Sequence, residues 1–259
     1  MKRTNPLAFL LVVTVLLALT TGVGAADRIA ITVGAGAGLL DALESIKRSF
    51  ESANPHTAVS YTFSSAGAIA AQARQGAPLD AVVFPAGGGH MDALEREGLV
   101  VSESRFVVAR DRLVLVVPRE KKVPGNPWKW LSDPSVKHIA IGDPRVVPAG
   151  VYAMQVLKHM DLDKPLAGKL VYARSVRQVL SYVELGDADA GFVYGSTLFG
   201  SAKARAVAEA PPESHEPIIF ECAMVKATPH EKEVERFLAY LRSEDGRKAF
   251  EECGFEVSQ

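Results

Sequence analysis

Cysteine is almost missing from this chain: Cys222 and Cys253 are the only two in 259 residues. That scarcity excludes a disulfide-stapled miniprotein and a cysteine-rich zinc centre. An excess of charge is also lacking. With 29 basic against 30 acidic residues, there is no basic surplus of the kind that holds a nucleic acid. No apolar run reaches the roughly 20 residues that span a bilayer; the longest, Leu7 to Leu19, is interrupted only by Thr14. What is present is ordinary globular composition, 48% hydrophobic and 23% charged, which excludes collagen-like, low-complexity and wholly disordered chains. The length accommodates one large domain or two of about 100–120 residues, each with its own core.

Residues 1–26 read as a secretory signal peptide. Lys2 and Arg3 form the positive n-region, Leu7 to Leu19 the apolar core, and Thr20 to Ala26 the small residues of a cleavage site near Ala25 or Ala26. No cysteine follows the apolar core, so no N-terminal lipid anchor is expected. The mature protein is expected to be soluble and exported. Cleavage removes two basic residues and leaves 27 against 30 acidic. In an exported chain Cys222 and Cys253 either pair or remain buried thiols, and the sequence leaves both open.

Hydrophobic periodicity then gives two sets of alternating strands and helices. Ile29 to Val33 reads as a buried strand, Gly34 to Gly38 as a small-residue turn, and Leu39, Leu40, Leu43, Ile46 and Phe50 as the apolar face of a helix. Strands at Thr57–Phe63 and Ala81–Phe84 follow, each trailed by a helix. A second set begins at Arg112–Pro118 and continues through strands at 138–141, 171–173 and 190–194, with helices at 151–160 and 176–185. A strand at Ile218–Val225 and a helix from His230 to Cys253, interrupted near Gly246, close the chain. Such alternation argues for α/β architecture with parallel sheets, and ligands of open α/β sheets bind outside the carboxyl ends of the strands.

Chemistry-bearing motifs are few. Gly34 to Gly38 fails the dinucleotide fingerprint in both frames, because the sixth position is Leu39 or Asp41. The six histidines show no metal-ligand spacing, Asp187 and Asp189 read as solvated carboxylates flanking a turn, and no nucleophile elbow occurs. No catalytic constellation is expected. Four loops, however, open helices with small residues: Gly34–Gly38, Ser64-Ser65-Ala66-Gly67, Pro148-Ala149-Gly150 and Arg174-Ser175-Val176. Helix starts of this kind present free N–H groups and favour anions.

At Gly142-Asp-Pro-Arg-Val-Val-Pro-Ala-Gly-Val-Tyr-Ala153 and Gly191-Phe-Val-Tyr-Gly-Ser196 the chain resembles the periplasmic molybdate-binding proteins of bacterial ABC importers. Ile31-Thr-Val33, Gln75-Gly-Ala-Pro-Leu-Asp80 and Cys253-Gly-Phe255 extend the match over the chain beyond the leader. The resemblance implies a two-lobed periplasmic-binding-protein fold of type II with a ligand cleft between the lobes. Lobe 1 is expected to comprise residues 27–109 and 218–259, and lobe 2 residues 110–217. It further implies a monomeric, non-catalytic receptor without cofactor that captures molybdate or tungstate and delivers it to a membrane permease. Molybdenum would enter only as the bound oxyanion, with no protein ligand on the metal. Carried over by motif, the donors are Ala149 and Val176 through their backbone and Tyr194 through its hydroxyl, with Gly38 and Ala66 contributing from the opposite lobe.

Two of these positions depart from the family, which carries serine where this chain has Gly38 and Ala66. A hydrogen bond to a charged group is worth about 1.5–3 kcal/mol, so two lost hydroxyls amount to about 3–6 kcal/mol. Ser64 and Ser65 are the candidate compensating donors. The missing side chains are also expected to enlarge the pocket, favouring molybdate and tungstate over smaller ions. The alternatives are a receptor for a different oxyanion (sulfate, phosphate or chromate) and, more remotely, a secreted enzyme acting on a small anionic substrate, for which Ser196 and Thr197 are the nucleophiles nearest Tyr194.

Overall fold

The computed structural model describes residues 28–257; the signal-peptide reading of residues 1–26 lies outside them. Two five-stranded sheets organise the chain. The first contains β1 (Ile29–Gly36), β2 (Thr57–Ser64), β3 (Ala81–Pro85), β4 (Phe106–Asp111) and, from the other end of the chain, β10 (Ile218–Met224). The second contains β5 (Leu113–Pro118), β6 (Ile139–Gly142), β7 (Leu170–Ala173), β8 (Ala190–Tyr194) and β9 (Ala204–Glu209). Their strand orders, β2-β1-β3-β10-β4 and β7-β6-β8-β5-β9, follow one plan. Three parallel strands come first, the earliest in the middle, and two antiparallel strands complete the sheet. The fold is thus α/β and two-lobed, as expected.

Helices α1 (Leu40–Ala53), α2 (Ala66–Arg74) and α3 (His90–Arg96) serve the first lobe. In the second lobe lie α4 (Pro127–Trp130), α5 (Pro148–His159), α6 (Asp163–Leu166), α7 (Val176–Leu185) and α8 (Gly195–Leu198). The chain then returns to the first with α9 (Glu231–Arg242) and α10 (Glu244–Glu251). The apolar face of α1 buries Leu43, Ile46 and Phe50 completely, and Phe50 meets Phe237 of α9 edge to face at 5.4 Å. On the other face of the sheet, Ile69, Val82, Phe84, Met91 and Leu94 form a separate cluster. None of these helices is long and apolar enough to cross a membrane.

Several local expectations are corrected. Strand β1 runs through Gly34 to Gly36, and only Ala37–Leu39 turn, as a short 3-10 segment. A Cβ on Gly34 would lie 2.7 Å from Ile69 of α2 and one on Gly36 3.1 Å from Pro85 of β3, so the first glycine lets a helix pack on the sheet and the second allows close packing beside the neighbouring strand. The last helical stretch breaks at Ser243, not Gly246: the Ser243 hydroxyl accepts the Gly246 N–H and starts a new helix. Asp189 is not a free solvated carboxylate. It accepts hydrogen bonds from Lys121 Nζ and from the N–H groups of Lys137 and His138. Burial pushes its carboxyl up, yet these donors together hold it below the ordinary range. Cys222 and Cys253 are both free thiols, the first buried and the second half-buried.

Candidate functional site

The carboxyl ends of both parallel strand sets face one another, and the loops that follow them enclose a cavity of about 20 Å³. That is close to the room one water molecule needs. The first lobe contributes Gly36 at the end of β1 with Ala37 and Gly38 after it, Ser65 and Ala66 after β2, Pro85 at the end of β3, and Phe220 of β10. The second contributes Val147 and Pro148 after β6, Ser175 and Val176 after β7, and Tyr194 at the end of β8. Four of the five expected donor positions therefore line one space: Gly38, Ala66, Val176 and Tyr194. Ala149 is buried in the first turn of α5 beside Pro148 without itself lining the cavity. Ser64 is the terminal residue of β2 and stays outside, whereas Ser65 lines the wall.

Helices α2, α5 and α7 all begin at this cavity. Their first turns contain no acidic side chain, so the partial positive charge at each N-terminus, about half an elementary charge, is not offset locally. The caps are built from short hydroxyls. Ser175 Oγ accepts the Gln178 N–H at 3.2 Å, and Ser65 Oγ accepts the Ala68 N–H at 3.3 Å. Each serine acts there as acceptor, and its own proton remains available to donate. The Val147-Pro-Ala-Gly150 start is fixed by close approach: Gly150 packs on the Gly142 carbonyl at the end of β6, where any Cβ would collide. Among the lining side chains only Tyr194 carries an ionisable proton.

Tyr194 is 1% exposed, and its hydroxyl has no hydrogen-bond partner among the described residues. Burial pushes its pKa well above the usual phenol value, aided by Tyr152 and Asp111 nearby. At neutral pH it is therefore a donor. Its ring is held edge to face by Phe220 of the opposite lobe at 5.3 Å and by Tyr152 at 6.4 Å. A neighbouring hydroxyl, Thr197 Oγ1, is likewise buried without a partner among the described residues.

The lobes meet directly around the cavity. The Gly67 N–H donates to the Val146 carbonyl at 3.0 Å. Arg177, in the first turn of α7, donates through Nε to the Ala37 carbonyl at 3.2 Å and pairs with Asp41 of α1. The Tyr152 oxygen is bonded by the Gly87 N–H, and a Cβ on Gly87 would stand 2.9 Å from that oxygen.

The expected enlargement at Gly38 does not occur. A Cβ there would lie 3.3 Å from Thr197 Oγ1, 3.4 Å from Val176 Cγ1 and 3.7 Å from Tyr194 Cδ2, so the opposite lobe fills the volume the glycine frees. Sequence reading missed Ser175 as a lining residue; it was visible only as part of a helix start.

Known proteins resemble this chain over most of its length. A family profile described as bacterial extracellular solute-binding protein matches residues 31–256. The substrate-binding lipoprotein YvgL, named for an ABC transporter of Bacillus subtilis, is 36% identical over 88% of this chain and 86% of its own length. The molybdate-binding protein ModA of Haemophilus influenzae is 31% identical over 94% of this chain and 96% of its own. Among solved structures, the periplasmic molybdate-binding protein of Azotobacter vinelandii superposes with a TM-score of 0.78 at 27% identity. It covers 88% of this chain and all of the other.

Proposed function

Because the chain belongs to the bacterial extracellular solute-binding proteins, we propose that it is the periplasmic receptor of an ABC importer, capturing molybdate, and tungstate with it, for delivery to a membrane permease. The observation that carries this reading is the cavity itself, where three helix N-termini and a buried, unpartnered tyrosine hydroxyl converge with no acidic side chain in those first turns. A tetrahedral dianion uses such donors without any cationic side chain on it. The resemblance to molybdate-binding proteins of two bacteria supports the choice of anion.

In this reading the backbone N–H groups at Gly38 and Ala66 bind from one lobe. Ala149, Val176 and the Tyr194 hydroxyl bind from the other, and Ser65 adds a hydroxyl in place of the family's serines. Bridging donors on both sides makes the anion favour the closed arrangement, since a ligand shifts a conformational equilibrium only by its differential affinity. Size discrimination follows from the ring of donors, because an ion too small to reach them all leaves some unpaired. The lobes are 27–109 with 218–259, and 110–217; the protein acts as a monomer without catalysis, after cleavage near Ala25 or Ala26 and without a lipid anchor.

Calorimetric titration of the mature protein with molybdate, tungstate, sulfate and phosphate in parallel tests the assignment. Tight and similar binding of the first two, with no heat from the others, is expected. Binding of sulfate or phosphate in preference to molybdate would assign the receptor to another oxyanion instead.

A further inference from the structure

Resting on the oxyanion reading above, we propose that Thr197 supplies from the second lobe the hydroxyl that position 38 lacks, and is a determinant of anion affinity. Three observations lead there. Thr197 is 2% exposed, and its Oγ1 has no hydrogen-bond partner among the described residues. A buried hydroxyl left unpaired is costly in any folded protein and is retained where something else uses it. The same oxygen stands 3.3 Å from the point where a side chain on Gly38 would begin, and Gly38 lines the cavity together with Tyr194. The other atoms bordering that point, Val176 Cγ1 and Tyr194 Cδ2, belong to residues that also line it.

The glycine and the threonine therefore act as a pair. With any larger residue at 38, the Thr197 hydroxyl would be crowded in the closed arrangement; Thr197 does not itself line the cavity, and with glycine only the space of one missing side chain separates its hydroxyl from Gly38, which does. The hydroxyl has changed lobes. Tyr194 OH, Thr197 OH and the amides of Ala149 and Val176 then all lie on the second lobe, leaving the first with backbone N–H groups and Ser65. An anion entering the open cleft finds its larger set of donors on the second lobe and meets the first on closure.

The test is titration of the mature protein and its variants with molybdate, followed by thermal unfolding without the anion. Thr197→Val keeps the shape and removes the hydroxyl. It is expected to weaken binding about tenfold to a hundredfold while leaving the anion-free protein equally or more stable, because the unpaired group is gone. A purely structural role would not move these two readouts in opposite directions. Thr197→Ser is expected to bind within about threefold of wild type, on the order of 0.7 kcal/mol. Gly38→Ser placed in a Thr197→Ala background is expected to recover affinity over Thr197→Ala alone, since the hydroxyl returns to the first lobe. Thr197→Val binding as tightly as wild type would overturn the proposal, as would a double variant no better than Thr197→Ala. Wild-type protein that binds sulfate or phosphate and ignores molybdate contradicts the molybdate reading alone; the same variants are then titrated with the anion that binds.

Discussion

Gly67, in the first turn of α2, donates its backbone N–H to the carbonyl of Val146 in the opposite lobe at 3.0 Å. A Cβ on Gly67 would fall 2.9 Å from Val146 Cα and 3.1 Å from its carbonyl oxygen, so the two backbones touch only because one side chain is missing.

Gly67→Ala is accordingly a closure variant. Overpacking a tight contact costs about 1–3 kcal/mol, and the contact here joins the two lobes, so in the receptor reading the cost opposes closure. Molybdate affinity should drop roughly five- to a hundredfold, with thermal stability of the anion-free protein little changed. Small-angle scattering at saturating anion would show a larger radius of gyration than for wild type. Unchanged affinity would mean that closure does not pass through this contact.

Tyr194→Phe removes a buried hydroxyl donor and little else, because the ring contacts with Phe220 and Tyr152 remain. Loss of a hydrogen bond to a charged ligand is worth about 1.5–3 kcal/mol, so titration should show molybdate bound about ten- to a hundredfold more weakly. Equal affinity in the phenylalanine variant would remove Tyr194 from the site.

Asp111 makes a prediction about pH. It ends β4, is buried, and accepts the N–H groups of Arg112 at 2.8 Å and Ser196 at 3.3 Å. Burial pushes its carboxyl up to about 6 against the pull of the Ser196 side chain, of these two N–H groups and of the Arg112 charge. Raised above the unfolded value near 4, it contributes stability that is fully present at low pH and lost as pH rises through about 6. The stability of wild type relative to Asp111→Asn should fall by about 2 kcal/mol between pH 4 and pH 7.5, measured by urea unfolding. A constant difference across that range would show that Asp111 ionises normally in the folded chain.

Much of the architecture was legible because buried strands announce themselves. Leu113–Pro118 and Ala190–Tyr194 are apolar runs that lie inside the second sheet, covered on both sides. Strands β4 and β9 went unread for the opposite reason. Both are edge strands, and Phe106–Asp111 and Ala204–Glu209 mix apolar residues with charges that one exposed side tolerates. At the site, Val176 and Ala66 could be placed because helix starts leave local signatures. The pairing of Gly38 with Thr197 could not, since it joins residues 159 positions apart and depends on how one lobe seats against the other.

The position of β10 also sets an order of assembly. Among the strands of the first sheet β4 has one neighbour, β10, which lies between it and β3, and its other edge carries an isolated bridge from Arg110 to Glu256, later still in the chain. Everything needed for the second sheet lies within one uninterrupted stretch, Leu113 to Glu209, while the first must wait for the final fifth of the chain. Glu221 finds Val107 only after the intervening chain has been looped out, and such non-local pairings form late. In a refolding experiment followed by pulsed hydrogen exchange, amides of β5, β6 and β8 should therefore gain protection before those of β3 and β4. The two walls of the cavity come into being one after the other, and the second is complete only when β10, which brings Phe220 to it, is in place.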